Sequence, residues 1–393
     1  MQVSSTTDLI ERVSDAYART FGRPPALVSV GPGRANVIGE HTDYHGGFVL
    51  PFAVDRGVAV ALGPSPHARF VLHSLDFDAV YSEPPPTPDA PLAVTRDWTG
   101  YAAGVLNELA EGARRPGAFA GVIAGNVPIG SGMSSSAAFE VALLQGLDAL
   151  FELGLTRWQL VTTAQACENR WFGVRSGLMD QFASVFGTEG AALFLDNASR
   201  AWRPVPLGVD LDWVVVDSGV ARTLAASGYN ARRAEGEAAL ARLVPAGLAG
   251  ERLSDVAPAD LDRALAMLPP VEAKRTRHVV DENQRVLAAI GALAAGRADW
   301  LGRLLDASHA SLRDLYEVSV PPLDVLVDLL RSVPGALGAR LMGAGFGGSV
   351  IAVGRPGFAD GVPGVAATYA ERTGHRMVPY AARPARGAHV VRD

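Results

Sequence analysis

Apolar and polar positions repeat at two periods along this chain, and the switches between them outline its elements. Residues 7–21 carry the spacing of an amphipathic helix, followed by a strand from Ala26 to Val30 and a glycine-rich loop opening at Gly31. Gly47–Ala61 alternates and is rich in β-formers, as is Arg69–Leu75. Pro84, Pro85, Pro86, Pro88 and Pro91 mark the stretch after Glu83 as a surface connection. Helical spacing returns over Thr99–Gly112, Ser135–Leu150 and Arg157–Trp171, and a strand at Ala191–Asp196 precedes a division near residue 205. Beyond it, Trp213–Asp217 and Ser349–Val353 read as strands, and 230–245, 276–295 and 321–332 as helices. There is no internal repeat and no regular βαβ rhythm, so the expected class is α+β, in domains 1–205 and 206–393.

Length supports that division, because single cores stop growing at about 250–300 residues and this chain has 393. Its 48% hydrophobic and 19% charged content is that of a globular protein. Thirty-five basic against 41 acidic residues give a net charge of -6. No basic cluster is long enough to track nucleic acid or an anionic membrane, so neither is expected as a partner. Any phosphate chemistry must therefore be local. The lone Cys167 excludes an intramolecular disulfide and reads as a small buried hydrophobe. The first residues lack a secretory pattern and no apolar run reaches about 18 residues, so a cytoplasmic protein is expected. The Asn197-Ala198-Ser199 triplet then carries no glycan.

Five segments carry candidate chemistry. Asn126-Val-Pro-Ile-Gly-Ser-Gly-Met-Ser-Ser-Ser-Ala-Ala138 runs into the helix-forming stretch Phe139–Leu150. Gly130 and Gly132 let consecutive N–H groups converge on an anion, and Ser134, Ser135 and Ser136 are good N-cap residues. The alternative is an ordinary capped helix after a tight turn. No Walker loop and no Gly-x-Ser-x-Gly elbow occurs, so a bound nucleotide's charge must be met by backbone, magnesium and other residues. Glu40-His41-Thr42-Asp43-Tyr44, bordered by glycines and β-rich segments, has the donor and acceptor density that suits a small polyhydroxylated ligand. A metal site on Glu40, His41 and Asp43 competes with it, although one histidine with hard oxygens is a weak zinc pattern. Glu168 falls in an apolar helical stripe with Val161, Ala164, Trp171 and Phe172, where a carboxylate needs an ion pair or a cation. Asp180 stands in the first turn of a helix after Ser176-Gly177, where acids ordinarily favour the dipole. Gly343-Ala-Gly-Phe-Gly-Gly348 contains Gly-x-Gly-x-x-Gly, but a strand-like Ser349-Val-Ile-Ala-Val353 follows where a dinucleotide fingerprint needs a helix. It fits a glycine loop that closes over a ligand held elsewhere.

These motifs, in this order, closely resemble the GHMP small-molecule kinases, and Gly33–Gly47 narrows the resemblance to the galactokinase family. Pro128–Ala138 resembles the family's phosphate loop and Gly343–Gly348 its third motif, and the likeness spans about residues 25–353. His45, Met342 and Ser349 stand where galactokinases usually carry asparagine, threonine and cysteine, and Ala35 and Met133 replace commoner aliphatic residues. The resemblance implies an N-terminal domain like ribosomal protein S5 domain 2, a ferredoxin-like C-terminal domain, and an active site in the cleft between them. It implies MgATP-dependent transfer of a phosphoryl group to the anomeric hydroxyl of galactose, by a monomer. Carried over residue by residue, Asp180 and Arg34 match the catalytic pair, and Glu40, His41, Thr42, Asp43, Gly177 and Tyr229 the sugar site. Pro128, Gly130, Ser131, Gly132, Met133, Ser134, Ser135 and Ser136 match the ATP phosphate loop. Ser74 and Trp98 lie near adenine, and Ser136 and Glu168 match the magnesium ligands. Other GHMP sugar kinases, acting on N-acetylgalactosamine or arabinose, share these motifs. A sugar and ATP sensor that does not phosphorylate could lose Asp180 and Arg34, yet both are intact.

Overall fold

The computed structural model describes residues 6–112, 114–208, 210–221 and 225–392. Helix α1 (Thr6–Phe21) is followed by strands β1 (Leu27–Asn36), β2 (Phe48–Val49), β3 (Pro51–Pro64), β4 (Phe70–Ser74) and β5 (Ala79–Glu83). Next come α2 (Trp98–Glu111), β6 (Phe119–Gly125), α3 (Ser135–Phe151), α4 (Arg157–Ala166), α5 (Met179–Phe186), β7 (Ala191–Asp196) and β8 (Trp202–Pro206). The second half runs β9 (Asp212–Asp217), α6 (Ala225–Leu243), α7 (Leu261–Ala266), α8 (Pro270–Ala294), α9 (Ala298–Asp314) and α10 (Pro321–Arg331). It ends with β10 (Ala336–Met342), β11 (Ser349–Gly354), α11 (Phe358–Gly361), α12 (Ala366–Thr373), β12 (Val378–Ala381) and β13 (His389–Val391). The class is mixed α+β, as expected. Among the described residues no helix is long and apolar enough to cross a membrane.

The first sheet has the order β13-β1-β3-β6-β4-β5 and is antiparallel except between β4 and β6. Period-two alternation divides its faces. Val28, Val30, Ala59, Ala61, Val122 and Ala124 pack against Leu9, Val13 and Tyr17 of α1. Leu27, Val58, Val60 and Leu62 turn the other way, into a core shared with α2, α3, α4 and α5. A small sheet, β2-β7-β8, flanks this half.

The second sheet has the order β10-β11-β9-β12, all antiparallel, with helices between β9 and β10 and between β11 and β12. That is the expected ferredoxin-like arrangement. Val214, Val216, Val350 and Ala352 pack under α10 and α12, whereas Trp213, Val215, Ile351 and Val353 join Ile38, Leu50 and Phe52 of the first half in one core. Burial on both faces explains the unbroken apolar runs of β9 and β11. We propose the division between residues 205 and 206 as the domain boundary, with β13 returning to pair Val391 with Val28 of the first sheet.

The loop expected from Gly31 is instead strand, since β1 continues to Asn36. Its glycines serve close approach. A Cβ on Gly31 would lie 2.2 Å from the Ala138 carbonyl oxygen and one on Gly33 2.6 Å from that of Met133, so only glycine lets the start of α3 and the loop before it press on β1. The register shifts between Pro32 and Arg34, an irregularity that re-aims the strand where Arg34 leaves it.

Candidate active site

A cavity of about 940 Å³ opens between the two halves. Arg34, Glu40, His41, Asp43, Ser74, Trp98, Gly130, Gly132, Ser134, Ser135, Ser136, Glu168, Gly177, Asp180 and Tyr229 line it, with Gly343 and Ala344 of the third motif. Thr42, Pro128, Ser131 and Met133 do not. Thr42 is fully buried and its hydroxyl is directed at the carbonyls of Gly39 (2.9 Å) and Phe48 (2.7 Å). The Ser131 hydroxyl donates to the Pro128 carbonyl at 2.7 Å, and the Met133 carbonyl accepts from the Arg34 N–H at 3.0 Å. These residues brace the loops that the others project from.

Asp180 sits in the first turn of α5, which packs against β1 and α3. Arg34 Nε donates to its Oδ1 at 2.8 Å, and the Ser134 hydroxyl donates to its Oδ2. The Arg34 guanidinium also reaches the Gly132 carbonyl, tying β1 to the glycine-serine loop. Ser134 was expected as an N-cap and does not act as one: it takes a left-handed φ of 54° with no capping hydrogen bond. Its hydroxyl is spent on Asp180 instead. With Gly130 and Gly132 also at positive φ, the backbone turns sharply into α3, whose first-turn N–H groups have no intrahelical acceptor.

The polar loop carries strain of its own, because His41 is left-handed at φ 60° and buried. Glu40 accepts from the Gly343 N–H at 2.7 Å and pairs with Arg340 at 3.1 Å, both side chains fully buried. Asp43 lies against Gly177 so closely that a Cβ there would stand 2.0 Å from Oδ2. Burial, with Asp180 and Glu40 nearby, pushes Asp43 up to about 7. His45, Met342 and Ser349 lie outside the cavity wall. His45 packs between Tyr316 and α6, Met342 Sδ accepts from the Asn36 N–H, and the Ser349 hydroxyl bonds the Ser131 carbonyl.

The Ser136 hydroxyl donates to Glu168 Oε1 at 2.8 Å, and Ser176 reaches Oε2 at 3.4 Å. The regular helix expected through Trp171 loosens to a π-turn over Cys167–Trp171, which carries Glu168. Burial first, then Asp180, raise its carboxyl above the ordinary range. Six carboxylates (Glu40, Asp43, Asp76, Asp97, Glu168, Asp180) face the cavity against two arginines, Arg34 and Arg96, among the described residues. An anionic ligand in such a cleft needs a cation. Ser136 and Glu168 are the hard oxygen donors magnesium takes, and among the described residues no cluster of three or more histidine, cysteine or acidic side chains offers a complete cage.

Trp98 opens α2, whose N-cap Asp97 accepts from the Thr99 N–H at 2.9 Å. Across the cavity mouth Phe77 lies parallel to it, ring centroids 6.4 Å apart. Phe77 and Arg340 escaped the sequence reading. A single phenylalanine in a loop carries no signal, whereas an arginine inside the apolar run of β10 is a buried charge that demands a partner.

Three family models match the chain: the galactokinase galactose-binding signature over residues 15–64, the GHMP kinases N terminal domain over 100–188 and the GHMP kinases C terminal model over 289–360. The galactokinase of Chloroflexus aurantiacus is 40% identical over 380 residues, 96% of each chain. The crystal structure of Lactococcus lactis galactokinase complexed with galactose superposes with a TM-score of 0.89 at 34% identity, covering 96% of this chain and 98% of that one. The Methanococcus jannaschii mevalonate kinase shares the fold alone, with a TM-score of 0.63 at 15% identity over 91% of this chain and 98% of its own.

Proposed function

This chain belongs to the galactokinase family of GHMP kinases, and from that premise we propose that its cleft carries the γ-phosphoryl group of ATP to the anomeric hydroxyl of galactose, giving galactose 1-phosphate and ADP. The observation that carries this reading is the Asp180 carboxylate, gripped by Arg34 and Ser134 where the polar loop meets the glycine-serine loop. Galactose occupies the side of the cleft formed by Glu40, His41, Asp43, Gly177 and Tyr229. The ATP phosphates lie on Gly130–Ser136, and the base lies near Ser74 with the apolar faces of Trp98 and Phe77. Magnesium, when bound by Ser136 and Glu168, neutralises charge on the phosphate oxygens.

Asp180 accepts a hydrogen bond from the C1 hydroxyl and aims its oxygen at the γ-phosphorus. As the new O–P bond forms, the bond to the β–γ bridging oxygen breaks, and the hydroxyl proton passes to Asp180 late. A loose transition state needs little earlier proton removal, so orientation matters more than basicity. Arg34 balances the charge that gathers there. We propose that the enzyme works as a cytoplasmic monomer, without nucleic acid or membrane partners, in keeping with its net charge of -6.

Glu168→Gln should weaken productive magnesium binding, because an amide oxygen is a poorer ligand than a carboxylate. Activity should recover in part as magnesium is raised; equal activity at every concentration would make Glu168 a structural residue. Asp43 yields a pH prediction. Its folded value of about 7 lies above the ordinary carboxyl value of 3.8, so between these the folded chain holds a proton that the unfolded chain lacks, and this contribution to stability falls as pH rises through the window. Sugar hydroxyls need the ionised acceptor, so the galactose KM should rise as pH falls through about 7. Asp43→Ala should raise that KM roughly tenfold or more, since a charged hydrogen bond contributes about 1.5–3 kcal/mol, and should flatten the pH dependence while ATP binding stays intact. A panel of free sugars with MgATP, following ADP release, tests the reading. Galactose should be best and glucose, inverted at C4, poor; a better substrate among N-acetylgalactosamine or arabinose would keep the chemistry and overturn the sugar.

A further inference from the structure

Six rings crowd behind the polar loop: His41, Tyr44 and His45 on it, Tyr229 on α6, His278 on α8 and Tyr316 after α9. Burial holds the three histidines neutral, His45 at about 3, His278 at about 4 and His41 well below its ordinary value, so each ring carries one N–H. The hydrogen bonds then have only one consistent direction. A carbonyl only accepts, so His41 Nε2 holds its proton toward Ala344 at 3.2 Å and its Nδ1 is an acceptor. The Tyr44 hydroxyl donates to that Nδ1 at 2.8 Å. With its proton spent, the Tyr44 oxygen accepts from the Tyr316 hydroxyl at 2.9 Å. The Tyr316 oxygen in turn accepts from His45 Nε2–H at 3.1 Å.

We propose that Tyr44 and Tyr316 are positioning residues for sugar recognition, holding His41 in the one tautomer that shows the cavity an N–H donor and no acceptor. This rests on the galactose reading of the cleft. Ala344 and His41 both line the cavity, so a substrate oxygen can replace or share the carbonyl as the acceptor of that N–H. The chain also joins the halves, since Tyr44 comes from the polar loop and Tyr316 from the second half. Tyr316 is fully buried and does not line this cavity, so any effect on the sugar passes through its neighbours: through the Tyr44 hydroxyl at 2.9 Å and through its ring contact with His41, centroids 4.9 Å apart.

The test uses the full chain labelled with 15N-histidine. In the wild type, His41 should show a pyrrole-type Nε2 and a pyridine-type Nδ1, assigned by the resonances missing from His41→Gln among the eight histidines. Tyr44→Phe should shift the Nδ1 signal toward a tautomer average and raise the galactose KM about fivefold, the weight of one neutral hydrogen bond, with kcat and the ATP KM within about twofold. Tyr316→Phe should move both readouts the same way by less. A protonated Nδ1 in the wild type, or an unmoved KM and tautomer in both variants, would overturn the proposal. The wild-type spectrum decides the matter even if both variants fail to fold. Absence of turnover on galactose would instead sink the substrate assignment, and the tautomer measurement would still judge the chain.

Discussion

Asp180→Asn should lower kcat by at least about 100-fold while galactose and ATP binding stay largely intact. The amide keeps the shape of the carboxylate but cannot serve two donors in the same way. Oδ1 accepts from Arg34 Nε at 2.8 Å and Oδ2 from the Ser134 hydroxyl. If the asparagine oxygen stays on Arg34, its NH2 meets Ser134 and the substrate hydroxyl as a donor, so the C1 hydroxyl loses the acceptor that aims it. The charge balancing Arg34, which is almost wholly buried, is lost as well. Single-turnover kinetics separate the chemical step from product release. Near-normal turnover would remove Asp180 from the chemistry and leave Arg34 and the glycine-serine loop to orient the acceptor.

Arg340→Met should destabilise the fold by about 3–5 kcal/mol, the range for breaking a buried ion pair from one side. Arg340 donates to the carbonyls of Asn36, Val37 and Leu341 and pairs with Glu40, both charged side chains being buried. Methionine fills much of the volume and replaces none of the donors. Glu40 then keeps only the Gly343 N–H among these partners. The exposed Arg355–Asp299 pair is the control, since Arg355→Met should fall within about 0.5 kcal/mol. Urea unfolding of both variants, with an intact core spectrum in native buffer, measures the difference; equal midpoints would mean that Glu40 is held by its backbone donor alone.

What the sequence made legible divides by cause. The glycine-serine loop and the polar run were readable because their chemistry is local, whereas Asp180 on its own reads as an ordinary first-turn acid and took its role only from the family resemblance; Asp180, Arg34 and Ser134 do meet in one cluster. Within the motifs, the direction of each side chain was the missing information: the tight turns at His41, Gly130, Gly132 and Ser134 aim Thr42, Ser131 and Met133 away from the cavity their neighbours line. Gly31 and Gly33 misled because a glycine that serves close packing looks the same as one that serves a turn. Phe119–Gly125 was missed as a strand because its small residues, Ala120, Gly121 and Ala124, give no β-branched alternation, yet β6 is central in its sheet and fully paired. Helices α7, α9, α11 and α12 and strands β5, β8, β10, β12 and β13 went unread as well. The terminal strand β13 is only three residues long, and nothing local announces that it pairs with β1 across the length of the chain. Arg340 and Tyr316 act on residues some 300 and 270 positions away, which only the packed fold brings together.

The central claim is that one phosphoryl group moves to one oxygen, the anomeric one, and 31P NMR of the wild-type reaction with MgATP and galactose tests it most directly. The account predicts a single new sugar phosphate signal, coupled to the anomeric proton and growing in step with ADP. Inorganic phosphate in its place, a phosphate coupled to the C6 protons, or binding of both ligands without any ADP would contradict it.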